Sequence, residues 1–350
     1  MATEVVKVID PDMGSGYDYD SLADWEADQQ QNLVTNDRIA VAKCRCTGGT
    51  ADTTPNTYID GWTTDSTRYI KIWTDPSESY RHSGKWETGN KYRLEVGTSL
   101  ADRYYAILVR EQYTKIDGLQ IHVHPSGSSY GVNGITMDNG SNYSEVSHCI
   151  IRCTDEAGYS YGINGYGDYR KLYNNIVYDF TRTNSCGIAL TASTPNTNYC
   201  YNCTVHNCAV GYYGIDNATI FKNCLAQNCS NGFESDGGLG TGSDYNCSDI
   251  ASDAPGSNSQ TGNVVFVDED GDDFHLNSSD TVAKDKGTDL SGDSYLPFSD
   301  DIDGQTRSGT WDIGADEYVA ASSTPLFRRR LNILLRLCLS TFNLIGRCFK

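Results

Sequence analysis

Methionine is almost missing from this chain, three in 350 residues, and runs of helix-favouring residues are few, which argues against a helical bundle. Positive charge is scarce over most of the length. Residues 319–350 hold six Lys or Arg and no acid, so taking them away from the formal −19 leaves −25 on residues 1–318. A body that acidic repels nucleic acid at long range, and DNA and RNA are not expected partners. The N-terminus, Met-Ala-Thr-Glu-Val-Val-Lys-Val, shows no basic region followed by an apolar run, hence no visible secretory signal. Synthesis in the cytoplasm is expected, with incorporation into a virion or export by a non-classical route to follow. The thirteen cysteines are odd in number and lack the paired knuckle spacing of a zinc site. They read as reduced, buried, small apolar fillers rather than as bridges.

What the chain does have is glycine (34) and tyrosine (24), which suits an all-β chain with many turns. Between Tyr113 and Asp236 a strand, turn, strand pattern returns five times. Its first halves are Lys115–Val123, Glu145–Cys153, Lys171–Asp179, Cys200–Cys208 and Ile220–Cys229. Its second halves begin Gly134-Ile135, Gly162-Ile163, Gly187-Ile188, Gly214-Ile215 and Gly232-Phe233. With Ile121, Ile151, Val177, Val205 and Ala226 as one column, copies lie 30, 26, 28 and 21 residues apart, a period of stacked coils with loop insertions. Alternation places Leu119, Cys149, Asn175, Cys203 and Cys224 on the same inward side, and makes Asp179, Asn207 and Asn228 corners where a left-handed backbone is tolerated.

Asn174-Asn175-Ile176-Val177 and Gly187-Ile188 resemble the strands of the right-handed parallel β-helix repeat family, the pectate-lyase-like solenoids. The resemblance implies an all-β, single-stranded right-handed parallel β-helix over residues 16–318, clearest over 113–236. Residues 1–15 read as a polar arm. Ser21 before Leu22-Ala-Asp-Trp25 predicts a capping helix within 17–30, with Trp25 on the first coil. Gly237–Gly262 reads as a connecting loop. Residues 263–318 resemble the closing sections called choice-of-anchor domains, which implies a structural or attachment role. Asp268, Asp270 and Asp272 there would suit calcium, but the full twelve-residue ligand loop is missing, and the reading is an acidic turn with no cofactor. Residues 319–350 form a basic tail; within it, 326–350 predicts an amphipathic helix too interrupted to span a membrane, suited to docking on an anionic lipid surface or a protein.

Outward positions after each Gly-apolar pair are Thr136, Asn164, Ala189, Asp216 and Glu234; two further on stand Asp138, Tyr166, Thr191, Ala218 and Asp236. In this register Asp216 and Glu234 lie on neighbouring coils about 4.8 Å apart. A carboxylate pair about 5 to 5.5 Å apart suits a retaining glycosidase, so these two are the candidate catalytic residues. Tyr161, Tyr166, Tyr169 and Tyr213, with Asp138 and Asp236, are the candidate ligand-binding residues, because a tyrosine's flat face and hydroxyl match the CH and OH surface of a sugar. The mixed loop Glu78–Trp86 is a further candidate, and the strand histidines read as facing solvent. The expected function is non-catalytic binding of a glycan or cell surface, as in an adhesin or a phage tail-spike-like component. The alternative is a polysaccharide-degrading enzyme, a hydrolase ahead of a lyase, since the repeats offer only scattered cations where a lyase needs a base and calcium carboxylates.

Overall fold

Between Ile70 and Asp236 each coil contains three strands, one more than the sequence pattern suggests. The expected strand Lys115–Val123 is two, Thr114–Asp117 and Gln120–Val123, separated at Gly118. In the next coils the break falls at His148, Asn174, Asn202 and Asn223, whose φ angles of 46° to 53° lie in the left-handed region and turn the chain sharply. The structure, a computed structural model, describes residues 2–97, 104–125, 131–154, 158–192 and 195–320. Its strands form three parallel sheets of eight, eight and seven strands, visited in the same order in every coil from Ile70 to Asp236. The fold is a single-stranded right-handed parallel β-helix.

Ile121, Ile151, Val177, Val205 and Ala226 face one another along the second sheet, and all are 0% exposed. Leu119, Cys149, Asn175, Cys203 and Cys224 are buried beside them. Asn175 can sit inside because its side chain spans two coils, donating to the Val146 carbonyl at 2.9 Å and accepting from the Cys149 amide at 3.0 Å. Asp179, Asn207 and Asn228 are left-handed, with φ between 49° and 67°, and form the corner into the third sheet. Eleven described cysteines are buried and free; Cys200 and Cys224 approach to 3.9 Å between sulfurs without bridging.

Two segments differ from expectation. The segment read as a polar arm contains a strand, Thr3–Ile9, that pairs with Arg38–Cys44 at the end of the first sheet. Only Ile9 in it is fully buried, so main-chain pairing holds an edge strand that has no apolar alternation to reveal it. The helix α1, Leu22–Gln29, follows as predicted: Ser21 accepts from the Asp24 amide at 3.1 Å, and Trp25 is buried against Trp62 at 5.6 Å. Within Gly237–Gly262, Cys247–Ser248 and Gln260–Thr261 extend the second sheet instead of forming only a loop.

Residues 263–318 run back along the outside of the solenoid. After an antiparallel hairpin, Phe266–Asp268 with Asp273–Leu276, they bury Ile150, Ile176, Tyr178 and Leu225 on the outer face of the second sheet. Leu290, Leu296 and Trp311 cover Tyr199 and Tyr201 on the first. Asn174, Asn202 and Asn223 reach out from the corner to the carbonyls of Asp300, Asp312, Gly314 and Thr288 at 2.8–3.1 Å. The expected tail helix, 326–350, lies outside the described residues.

Candidate functional site

The third sheet carries the cleft. Its strands begin after a turn from the second sheet, and that turn changes length along the stack. Between Tyr178 and Cys186 it contains a loop, whereas His206 is followed by Val210 and Gln227 by Asn231 after only three residues each. The step leaves a cleft of about 520 Å³, walled by Thr181, Thr183 and Asn184 and lined across the coils by Tyr161, Tyr213, Asn231 and Glu234. Cys186 lines it too, but is nearly covered and its burial pushes the thiol pKa well up, so it presents a neutral thiol.

The register explains which predicted residues meet there. Ile163 pairs with Ile188, Ile188 with Tyr212 and Tyr212 with Phe233. The inward glycine of the fourth repeat is therefore Gly211, not Gly214. A Cβ on Gly211 would stand 2.6 Å from the Gly232 carbonyl, and one on Gly187 would stand 2.5 Å from a Val205 methyl, so the close stacking of coils demands glycine at this column. Val210-Gly211-Tyr212-Tyr213-Gly214-Ile215 offers two Gly-apolar pairs three residues apart. Tyr212 decides between them, because it is fully buried and stacks on Phe233 at 4.7 Å.

This shift dissolves the proposed acid pair. The neighbour of Glu234 is Tyr213, while Asp216 lies beyond the strand in a left-handed turn, its amide donating to the Asp236 carbonyl at 2.8 Å. Ala218, expected outward, is buried. Of the candidate residues the cleft brings together Tyr161, Tyr213 and Glu234. Asn231 donates to Glu234 at 3.2 Å, which fixes the carboxylate. Burial first, then the charges of Asp236 and Glu234, hold the Tyr213 hydroxyl above its usual pKa, so it remains a donor.

The other candidates lie elsewhere. Tyr166 is exposed further along its strand, accepting from the Asn164 amide at 3.1 Å. Asp138 is half-buried opposite Arg110 at 3.8 Å, and Asp236 is exposed past the cleft. Tyr169 sits at the edge of the first sheet, stacked on Tyr143 and bonded to Asn196. The mixed loop is structural: Arg81 pairs with Asp117 at 2.9 Å, Lys85 with Asp273 at 3.0 Å, and Trp86 packs in the outer core. His148 and His206 are buried under the C-terminal section, not solvent-facing. Asp272 is paired with Arg152 at 2.9 Å beside the turn Glu269–Gly271, and among the described residues no cluster of His, Cys, Asp or Glu suits a metal ion.

No family model and no curated protein matches the chain. Among solved structures it is similar to the crystal structure of pectate lyase Pel9A, at 14% identity over 91% of this chain and 97% of that one, with a TM-score of 0.43.

Proposed function

We propose that the protein binds a glycan without cleaving it, in the cleft of the third sheet, as a surface-binding β-helix component of the adhesin or tail-spike type. The supporting observation is the make-up of that cleft. Two tyrosines, Tyr161 and Tyr213, flank the amides of Asn184 and Asn231 and the carboxylate of Glu234, an apolar and hydrogen-bonding mixture that fits a sugar ring. Hydrolysis with two carboxyl groups needs a second acid across the scissile bond. Among the described residues that line the cleft, Glu234 is the one carboxylate. A glycan array followed by a reducing-end release assay on the hits tests the reading. Binding without release is the expected result; release that disappears in Glu234→Gln would replace it with the hydrolase reading.

A further inference from the structure

The cleft of the third sheet is not alike along its length. Tyr161, Cys186, Val210 and Asn231 are partners in successive registers, so the cleft crosses four coils, roughly 14 Å at about 4.8 Å per step. Tyr161 stands at one end. Asn231 and Glu234 stand at the other, and Tyr213 is the partner of Glu234 on the coil before. Tyr161 is three coils from Glu234, out of reach of any ligand group that the carboxylate holds. The charged end is therefore made by Tyr213, Ser230, Asn231 and Glu234.

That end contains a carboxylate without a counterion. Oε2 of Glu234 accepts from the Asn231 amide at 3.2 Å, and among the described residues Oε1 accepts nothing and no cation pairs with Glu234. Neither lysine nor arginine is among the residues that line the cleft; Arg182 belongs to the wall loop, two coils before Glu234. Glu234 is half-buried, Asp236 is exposed further along the same strand, and residues 1–318 carry −25. An anionic sugar is repelled from such a place. A neutral sugar hydroxyl donates to a carboxylate oxygen, but an ammonium forms a bond between two charges, which is stronger. The neighbouring Tyr213 ring adds an attraction for a cation.

We propose that the sugar bound at Glu234 carries a free, protonated amine, its ammonium donating to Oε1 of Glu234 beside the Tyr213 ring. This rests on the glycan reading of the cleft and names its ligand class, an amino sugar. The test is calorimetry of the full chain, at a mildly acidic pH where the sugar amine is protonated, with three β-1,4-linked disaccharides that differ only in the group at C2: diglucosamine with an ammonium, diacetylchitobiose with an acetamide and cellobiose with a hydroxyl. Diglucosamine should bind about tenfold tighter than cellobiose, as a charged in place of a neutral hydrogen bond implies, and the acetamide no tighter than cellobiose. Glu234→Gln, which keeps an acceptor for Asn231, should bring diglucosamine to the affinity of cellobiose. Glu4→Gln, which removes an exposed carboxylate at the opposite end of the solenoid, should leave the preference intact and so separates the site from the general attraction of an acidic body. Equal affinity for the amine and cellobiose, tighter binding of the acetamide, a preference that survives Glu234→Gln, or one that falls as much in Glu4→Gln overturns the proposal. Failure to bind diglucosamine overturns it as well; the glycan reading falls with it only if the glycan array gives no hit of any kind.

Discussion

The outer faces of the second and third sheets differ although their inner faces are alike. On the second sheet Ile150, Ile176 and Leu225 point outward and are as buried as the core, because the C-terminal section lies over them. On the third, the open outward positions are Tyr166, Tyr213 and Glu234, and the turn beside them, with Tyr161, opens into a cleft. A solenoid wall is thus left open to a ligand only where nothing of its own chain is laid upon it. The covered wall gains stability and rigidity, and it carries most of the buried charge. Arg307 there is fully buried, bonded to Glu317 at 3.3 Å, to Asn174 at 3.1 Å and to the carbonyls of Asp300, Gly314 and Ala315 at 2.7–3.1 Å.

The substitution that removes both walls at once is Val205→Asp. It places an unpaired carboxylate in the shared interior, where no polar partner or water compensates, and the chain should fail to yield soluble folded protein. A stable Val205→Asp protein would mean that the inward column is misassigned. Next in size is Arg307→Met, which strands Glu317 and several carbonyls inside the covered wall and should cost about 3–5 kcal/mol. Chemical denaturation should show this loss, with Trp86 and Trp311, both beneath or within the C-terminal section, reporting it by fluorescence. The bare wall has no counterpart: substitutions at Tyr166 should shift stability by no more than about 0.5 kcal/mol.

A smaller effect separates the walls by pH. At the covered wall burial alone would depress His275, but Asp303, then Asp316 and Asp273, outweigh it and hold its pKa up at about 9. His148 is likewise raised, burial being outweighed by Asp117 and Asp300, at 2.9 and 3.4 Å. A raised histidine contributes fully below its unfolded pKa and loses that contribution as pH climbs through its folded value. Asp301, raised by burial and then by Asp303 to about 8, and Asp316, raised by burial to about 6, ionise first in the unfolded chain, so their effect also falls as pH rises. Lys85, paired with Asp273, stays charged throughout this range. The covered wall should therefore lose stability between pH 6.5 and about 9. Thermal transitions followed by tryptophan fluorescence should decline over that window in the parent and decline less in His275→Gln. An equal slope in both would show that His275 does not carry the effect.

The inner wall was readable because stacking repeats the same residue type in one column: Ile121, Ile151, Val177, Val205 and Ala226 need no partner outside the repeat. The covered outer wall left a signal that alternation alone passes over. Ile150-Ile151, Ile176-Val177 and Leu225-Ala226 are adjacent apolar pairs, and two successive apolar residues in a strand mean burial on both faces. The break at Asn174, Asn202 and Asn223 was also present, as the Asn just before the inward Asn175, Cys203 and Cys224, yet a single polar residue inside an apolar run looks like an outward position. The cleft was only half legible. Tyr161, Tyr213 and Glu234 could be named as candidate residues, but their meeting depends on whether Gly211 or Gly214 is the inward glycine. Local alternation is equal for both, and only the packing of Tyr212 on Phe233, a contact between coils, separates them.

The finest distinction lies within the bare wall itself. Tyr213 stands between the Ala189 and Glu234 positions of the neighbouring coils and lines the cleft, whereas Tyr166 lies outside it. Both are outward on strands and neither fills the core, so Tyr213→Ala and Tyr166→Ala should fold with transitions close to the parent's. They should differ in binding. Loss of the Tyr213 ring removes a stacking surface and a hydrogen-bond donor from the cleft and should weaken glycan affinity about tenfold, the equivalent of about 1.4 kcal/mol. Loss of the Tyr166 ring should change it less than twofold, within about 0.4 kcal/mol. Surface-immobilised glycan from the array hits, titrated with each variant, makes the measurement. If Tyr166→Ala proves as damaging as Tyr213→Ala, the ligand runs along the exposed strand beyond the cleft, and the step in turn length is not what creates the binding face.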